Sequence, residues 1–165
     1  PHEVLRQGLL PAVDAREARL GQKPFTLLFT GLSGSGKGKV ARAVERRLFD
    51  MGRLGTVVDG MSLRAGMSRD LGFSKGERSE NLRRGMELAR AMNDAGLITL
   101  AVFTAPEASV RARARELVGA ERFALVTASA RSLPDLICGV MATTLENMMS
   151  TWPDIRSVIA GARPL

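Results

Sequence analysis

Phe25 to Thr30 (FTLLFT) runs directly into Gly31, Leu32, Ser33, Gly34, Ser35, Gly36 and Lys37, and Val40 to Phe49 then carries apolar residues at helical spacing. An apolar strand, a glycine-rich turn and a helix in that order predict a phosphate-binding loop. The glycines let backbone N–H groups converge on phosphate oxygens, the helix start adds partial positive charge, and Lys37 reaches the terminal phosphates. The expected ATP-binding segment is thus Gly31, Leu32, Ser33, Gly34, Ser35, Gly36, Lys37, Gly38 and Lys39. At Gly38 the motif calls for a serine or threonine whose hydroxyl ligates magnesium. Lys39 cannot replace that hydroxyl, because an ammonium has no acceptor to offer a cation.

Outward from the loop, elements alternate. The first helix is expected to run to about Met51 and stop at Gly52, with Leu54 to Val58 forming a strand that ends in Asp59 and Gly60. Strand ends of this kind hold the chemistry of such sheets. A helix from about Lys75 to Ala95 has apolar residues at Leu82, Met86, Leu88, Ala89 and Met92, and Gly96 leads into the apolar run Leu97 to Phe103. That run predicts a strand buried on both faces. A helix over Glu107 to Val118 and a strand over Phe123 to Thr127 follow. The pattern predicts an α/β fold with a parallel sheet between helical layers. Leu133, Ile137, Val140, Met141, Leu145, Met148 and Trp152 sit at helical spacing and predict an amphipathic helix whose methionine stripe reads as core. Residues 1–23 are polar with a short helical patch before Gly21 and Pro24, and read as a linker or docking arm ahead of a single domain over 24–165.

Composition narrows the chemistry. A chain of 165 residues with 45% hydrophobic content suits one domain with a real core. The net charge of +7, carried more by arginine than lysine, suits phosphate recognition and equally suits an arginine-rich codon usage. With no tyrosine, one tryptophan and 4% aromatics, the chain lacks a stacking platform for single-stranded nucleic acid. Arg111, Arg113 and Arg115 are spaced by two and spread around a helix rather than forming one stripe. Cys138 is the one cysteine, so an intrachain disulfide is excluded, and no membrane-length apolar run occurs, which reads as a cytoplasmic protein with no membrane partner. The single histidine, His2, lies in the N-terminal tail, which excludes zinc clusters and histidine triads. Acid–base work must fall to carboxylates.

Beyond the loop, Asp59-Gly60, Arg64, Arg69-Asp70-Leu71-Gly72-Phe73-Ser74, Arg78, Glu80-Asn81, Arg83-Arg84 and Asp94 to Ile98 resemble the adenylylsulfate kinases in order and spacing. The resemblance covers about Pro24 to Thr127, with 128–165 divergent. It implies a three-layer P-loop kinase fold that transfers the γ-phosphoryl group of ATP to the 3′-hydroxyl of adenosine 5′-phosphosulfate. It further implies Lys37 and Asp59 as catalytic groups, Arg64, Arg78 and Asn81 as contacts to the adenylylsulfate, and Phe73 as a stacking surface for its adenine. The chemistry agrees, since arginines neutralise phosphosulfate oxygens and a ring buries a base face. The residue-level alternatives are a solvated Arg64, an Arg78 paired with a helix carboxylate, and Phe73 as ordinary core. Mg2+ is the implied cofactor, and ATP or ADP and the adenylylsulfate are the implied ligands. A homo-oligomer or an ATP sulfurylase domain is the implied partner.

Departures from the family pattern weigh against turnover. Gly38 stands where the family has serine or threonine, and its Asp-Gly-Asp signature becomes Asp59-Gly60-Met61, so no protein ligand to the metal is assigned. The family's Phe-Ile-Ser-Pro-Phe/Tyr stretch reads Phe103-Thr104-Ala105-Pro106-Glu107, losing an aromatic wall and placing a carboxylate near an anionic substrate. The family's basic lid motif has no counterpart, because no Lys or Arg occurs over 132–155. Three readings stay open: an adenylylsulfate kinase with atypical metal binding, a weak or inactive nucleotide-binding domain that regulates or assembles with ATP sulfurylase, and a kinase for another small hydroxyl acceptor.

Overall fold

The computed structural model describes residues 12–105 and 107–127. The helix expected around Leu133 to Trp152 and the lid comparison lie outside the described residues. Helix α1 (Val13–Leu20) precedes strand β1 (Thr26–Thr30), helix α2 (Lys37–Asp50), strand β2 (Gly55–Asp59) and the short helix α3 (Gly60–Arg64). Helix α4 (Lys75–Asp94), strand β3 (Ile98–Val102), helix α5 (Ala108–Val118), a 3-10 turn (Ala120–Arg122) and strand β4 (Phe123–Thr127) complete the described chain. The four strands form one parallel sheet in the order β2-β3-β1-β4.

This order and the right-handed crossover rule decide the layers. The chain moves one way across the sheet from β1 to β2, and the other way from β2 to β3 and from β3 to β4. Helix α2 must then cover one face and α4 with α5 the other. The packing agrees: Leu27, Phe29, Ile98, Leu100 and Val102 share a cluster with Val40, Ala41, Val44 and Leu48 of α2. Leu28 and Ala101 pack with Leu82, Met86 and Ala89 of α4 and Ala114 and Val118 of α5. Alternation along one strand feeds both clusters, so β1 and β3 are buried at every position. Each fully buried leucine or phenylalanine contributes roughly 1.5–3 kcal/mol relative to exposure.

The sequence expectations hold within a residue or two for α2, β2, β3, α4, α5 and β4, with two additions. Asp59 ends β2 and then caps α3, its Oδ1 accepting from Met61 N at 2.7 Å and Ser62 N at 3.2 Å. That short helix was not expected, because its signal is a single capping carboxylate. The turn Ala120–Arg122 was likewise missed.

The short helical patch is α1, at the sheet end opposite the phosphate loop. Gln22 is buried there, donating to Leu54 O and Gly96 O while its Oε1 accepts from Leu54 N. Arg16 adds a bond to Asp94 O at 2.8 Å.

Candidate functional site

Strands β1 and β3 are neighbours whose outgoing connections leave to opposite faces of the sheet. At such a switch point the loops splay apart and open a crevice at the carboxyl ends of the strands. A cavity of about 340 Å³ lies there, lined by Ser33, Gly34, Gly36, Lys37 and Gly38 from the phosphate loop, by Asp59 and Phe103 at the ends of β2 and β3, by Arg64 of α3 and Phe73 of the loop after it, and by Arg78 and Asn81 of α4.

The phosphate loop owes its shape to Gly34 and Gly36, whose φ values of 82° and 80° lie in the left-handed region that side chains disfavour. Gly36 is the residue before α2, and no side chain caps that helix. Its first amides are therefore available to an anion, in the geometry that binds phosphate. Lys37 folds back to donate to Leu32 O at 3.0 Å. Burial holds its ammonium below the ordinary lysine range, and the Asp59 carboxylate pulls the other way. Leu32 and Lys39 are exposed, and with Gly31 and Ser35 they add no lining surface. The Ser35 hydroxyl is buried without a hydrogen-bond partner among the described residues.

On the opposite wall Asn81 is 1% exposed, and its Nδ2 donates to Gly60 O at 3.0 Å. Its Oδ1 has no partner among the described residues. A buried orphan acceptor costs about 1–3 kcal/mol unless a ligand satisfies it. Arg64 is not simply solvated: its Nε donates to Gly72 O at 3.1 Å and its Nη1 to Gly60 O at 3.2 Å, while Nη2 is buried and unpartnered. The same guanidinium lies 4.5 Å above the Phe73 ring. That ring is 56% exposed and so is not core. Arg78 is exposed and has no carboxylate partner among the described residues, contrary to the helix-pair alternative. The structure thus brings Lys37, Asp59, Arg64, Phe73, Arg78 and Asn81 around one cavity.

The loop over 65–73 is clamped at two places that sequence reasoning passed over. Glu77 accepts from Gly72 N at 2.9 Å, from Ser74 N at 3.0 Å and from the Ser74 hydroxyl at 2.6 Å, closing a capping box on α4. The Ser74-x-x-Glu77 spacing carried that signal. Arg84 donates in bidentate fashion to Asp70, at 2.6 and 2.7 Å, and also to Met67 O at 3.0 Å. No local pattern announces a partner fourteen residues away.

A second cavity of about 300 Å³ adjoins the first and shares Phe73, Arg78 and Thr104 with it. At its edge the Lys75 ammonium meets the Glu107 carboxylate at 3.3 Å.

For a divalent cation the donor set is thin. Gly38 has no hydroxyl, Met61 presents a thioether, and Asp59 is the one carboxylate lining the phosphate cavity. No group of three metal-ligating side chains occurs among the described residues. Hard oxygen ligands are what magnesium requires, so these residues do not fit a protein-held Mg2+.

Known proteins resemble this chain over much of its length. The "Bifunctional enzyme CysN/CysC" of Rhodopirellula baltica is 58% identical over 113 residues, which are 68% of this chain and 18% of that protein. The adenylyl-sulfate kinase of Clostridium acetobutylicum is 49% identical over 104 residues, covering 63% of this chain and 52% of that one. The chain therefore spans about half the length of the stand-alone kinase. The solved Mycobacterium tuberculosis APS kinase CysC in complex with AMPPNP and APS superposes with a TM-score of 0.62 at 39% identity, covering 76% of this chain and 73% of that chain. The sequence profile described as Adenylylsulphate kinase matches residues 23–133, and the chain belongs to that family, with its P-loop kinase fold.

Proposed function

We propose that this chain is a kinase unit that binds ATP on the phosphate loop and transfers its γ-phosphoryl group to the 3′-hydroxyl of adenosine 5′-phosphosulfate. The observation that carries this reading is the single cavity shared by the phosphate loop, Asp59 and the cluster Arg64, Phe73, Arg78 and Asn81. A phosphoryl donor on one wall and an anion-binding, base-stacking wall opposite it suit transfer between two nucleotides.

In this reading the loop amides and Lys37 hold the β- and γ-phosphates. The 3′-oxygen forms the new bond to the γ-phosphorus, and the bond to the β,γ-bridging oxygen breaks to release ADP. Asp59 uses Oδ1 to cap α3, and its second oxygen accepts the hydroxyl proton. Arg64 and Arg78 neutralise the phosphosulfate, the free Oδ1 of Asn81 accepts from the acceptor's ribose, and Phe73 stacks on its base. Magnesium that accompanies ATP is bound by the nucleotide rather than caged by this chain. The bifunctional relative supports a second enzymatic unit beside this one in the whole protein, and an ATP sulfurylase is the partner we favour.

Incubation with ATP, Mg2+ and adenylylsulfate tests the reading, with the 3′-phosphorylated product and ADP as readouts. Lys37→Ala should weaken ATP binding at least several-fold and abolish product. A wild type that binds ATP but not adenylylsulfate would exclude this acceptor. A second reading has its own observation, the missing oxygen donors at Gly38 and Met61. One lost charge-stabilising group costs on the order of 3 kcal/mol, about a hundredfold in rate. On that reading the domain binds both nucleotides, turns over slowly, and regulates or assembles its sulfurylase partner.

A further inference from the structure

We infer that Glu107, held by Lys75, reads the amino edge of the acceptor's purine and makes the second cavity selective for amino-purines over oxo-purines. The inference rests on the adenylylsulfate reading above.

The second cavity opens beside the phosphate cavity, and Phe73 borders both. Arg64, which covers the Phe73 ring at 4.5 Å, lines the phosphate cavity alone. In the second cavity no described side chain stacks on that ring, and about 300 Å³ is open beside it. A flat apolar ring next to a space of this size takes a planar heterocycle. What distinguishes one heterocycle from another is the polar rim.

The polar lining holds Arg78, Ser79 and Thr104 together with Lys75 and Glu107, whose Nζ and Oε1 lie 3.3 Å apart, and Glu107 is its one carboxylate. Lys75 offsets the carboxylate's charge, which removes the objection to an acid beside an anionic ligand. Lys75 is the one ion-pair partner of Glu107 among the described residues, which leaves the carboxylate with acceptor capacity to spare. An ionised carboxylate only accepts hydrogen bonds. An exocyclic amine satisfies it, whereas a carbonyl at the same ring position sets lone pairs against lone pairs. Lys75 is 80% exposed and already engaged, so it offers an oxo-purine little in exchange. The Glu107 side chain is 37% exposed, so water competes and the discrimination is moderate rather than the several decades of a dry site.

The test titrates the protein with adenosine 5′-phosphosulfate and with its inosine counterpart, which carries a carbonyl where the amine stands and a proton on the adjacent ring nitrogen N1. Wild type should bind the adenine compound about tenfold more tightly, a difference of about 1.4 kcal/mol. Glu107→Ala should shrink that preference to about twofold while ATP binding on the phosphate loop stays unchanged, which also verifies the fold. A preference that survives Glu107→Ala overturns the inference and leaves the adenylylsulfate reading intact. So does a wild type that prefers the inosine compound, since no exocyclic amine would then be read. Failure to bind either compound, with ATP binding retained, overturns the adenylylsulfate reading itself.

Discussion

Replacing Arg78 with alanine separates recognition from folding. The side chain lines both cavities, is open to solvent, and makes no hydrogen bond or ion pair among the described residues. It sits in the first turn of α4, where alanine and arginine differ little in helix propensity. The fold should therefore lose no more than about 0.5 kcal/mol. Binding is different, since a charge-assisted hydrogen bond contributes roughly 1.5–3 kcal/mol. Water screens the guanidinium in the free protein, so the lower part of that range applies, about 1.5–2 kcal/mol, or roughly 10–30-fold in affinity. Calorimetric titration with adenylylsulfate reads the affinity, and a ligand-free thermal melt reads the fold. Arg78→Lys should recover part of the loss as a point charge without the planar fork. An unchanged dissociation constant in a folded Arg78→Ala protein would refute the reasoning, and so would a large drop in melting temperature.

Four further outcomes are expected. Gly38→Ser combined with Met61→Asp should steepen the magnesium dependence of ATP binding and phosphotransfer more than either change alone, because two ligands on one ion act as a unit. Space permits the serine: a Cβ at Gly38 meets Arg42 Nη2 at 3.3 Å, the end of a flexible chain. A wild type with ordinary magnesium dependence contradicts this. Gly85→Ala should lower stability by about 1–2 kcal/mol in denaturant melts, since the new methyl collides with the Phe103 ring and overpacking exceeds the gain in helix propensity. Gly76→Ala on the same helix meets nothing within 4 Å and should be neutral or stabilising. Acid unfolding should report Glu80, whose carboxyl is lowered to about 2 by hydrogen bonds from Arg83 and then Arg84. A depressed folded value contributes stability that is present above the ordinary 4.5 and lost as pH falls toward 2, and Asp70 beside Arg84 shifts in the same direction. Urea titrations across that window should show a shallower acid limb for Glu80→Gln, and an unchanged limb would remove the assignment.

Much of this molecule was legible along the chain. The strand, glycine turn and helix around Gly31 to Lys37 are local features, and the apolar runs and helical patterns that follow imply the parallel α/β layers. Steric preference and hydrophobic periodicity act over a few residues, so they can be read from a few residues. The departures at Gly38 and Met61 were visible in the same way, because a missing oxygen needs no geometry to be noticed.

Tertiary structure decided what chain separation hides. Which strands are neighbours set the crevice, and the order β2-β3-β1-β4 placed Asp59 and Asn81 opposite the phosphate loop. The contact of Arg64 with Phe73, the Arg84 clamp on Asp70 and the Lys75 to Glu107 pair each join residues 9 to 32 positions apart. Side chains that far apart meet only because loops and helices have returned them to one place, and the sequence carries no period for a single charge pair. Glu107 shows the difference most plainly. In the sequence it was a carboxylate set against an anionic substrate, and in the folded chain it stands neutralised by Lys75 at the edge of a second cavity, where an acceptor can be useful.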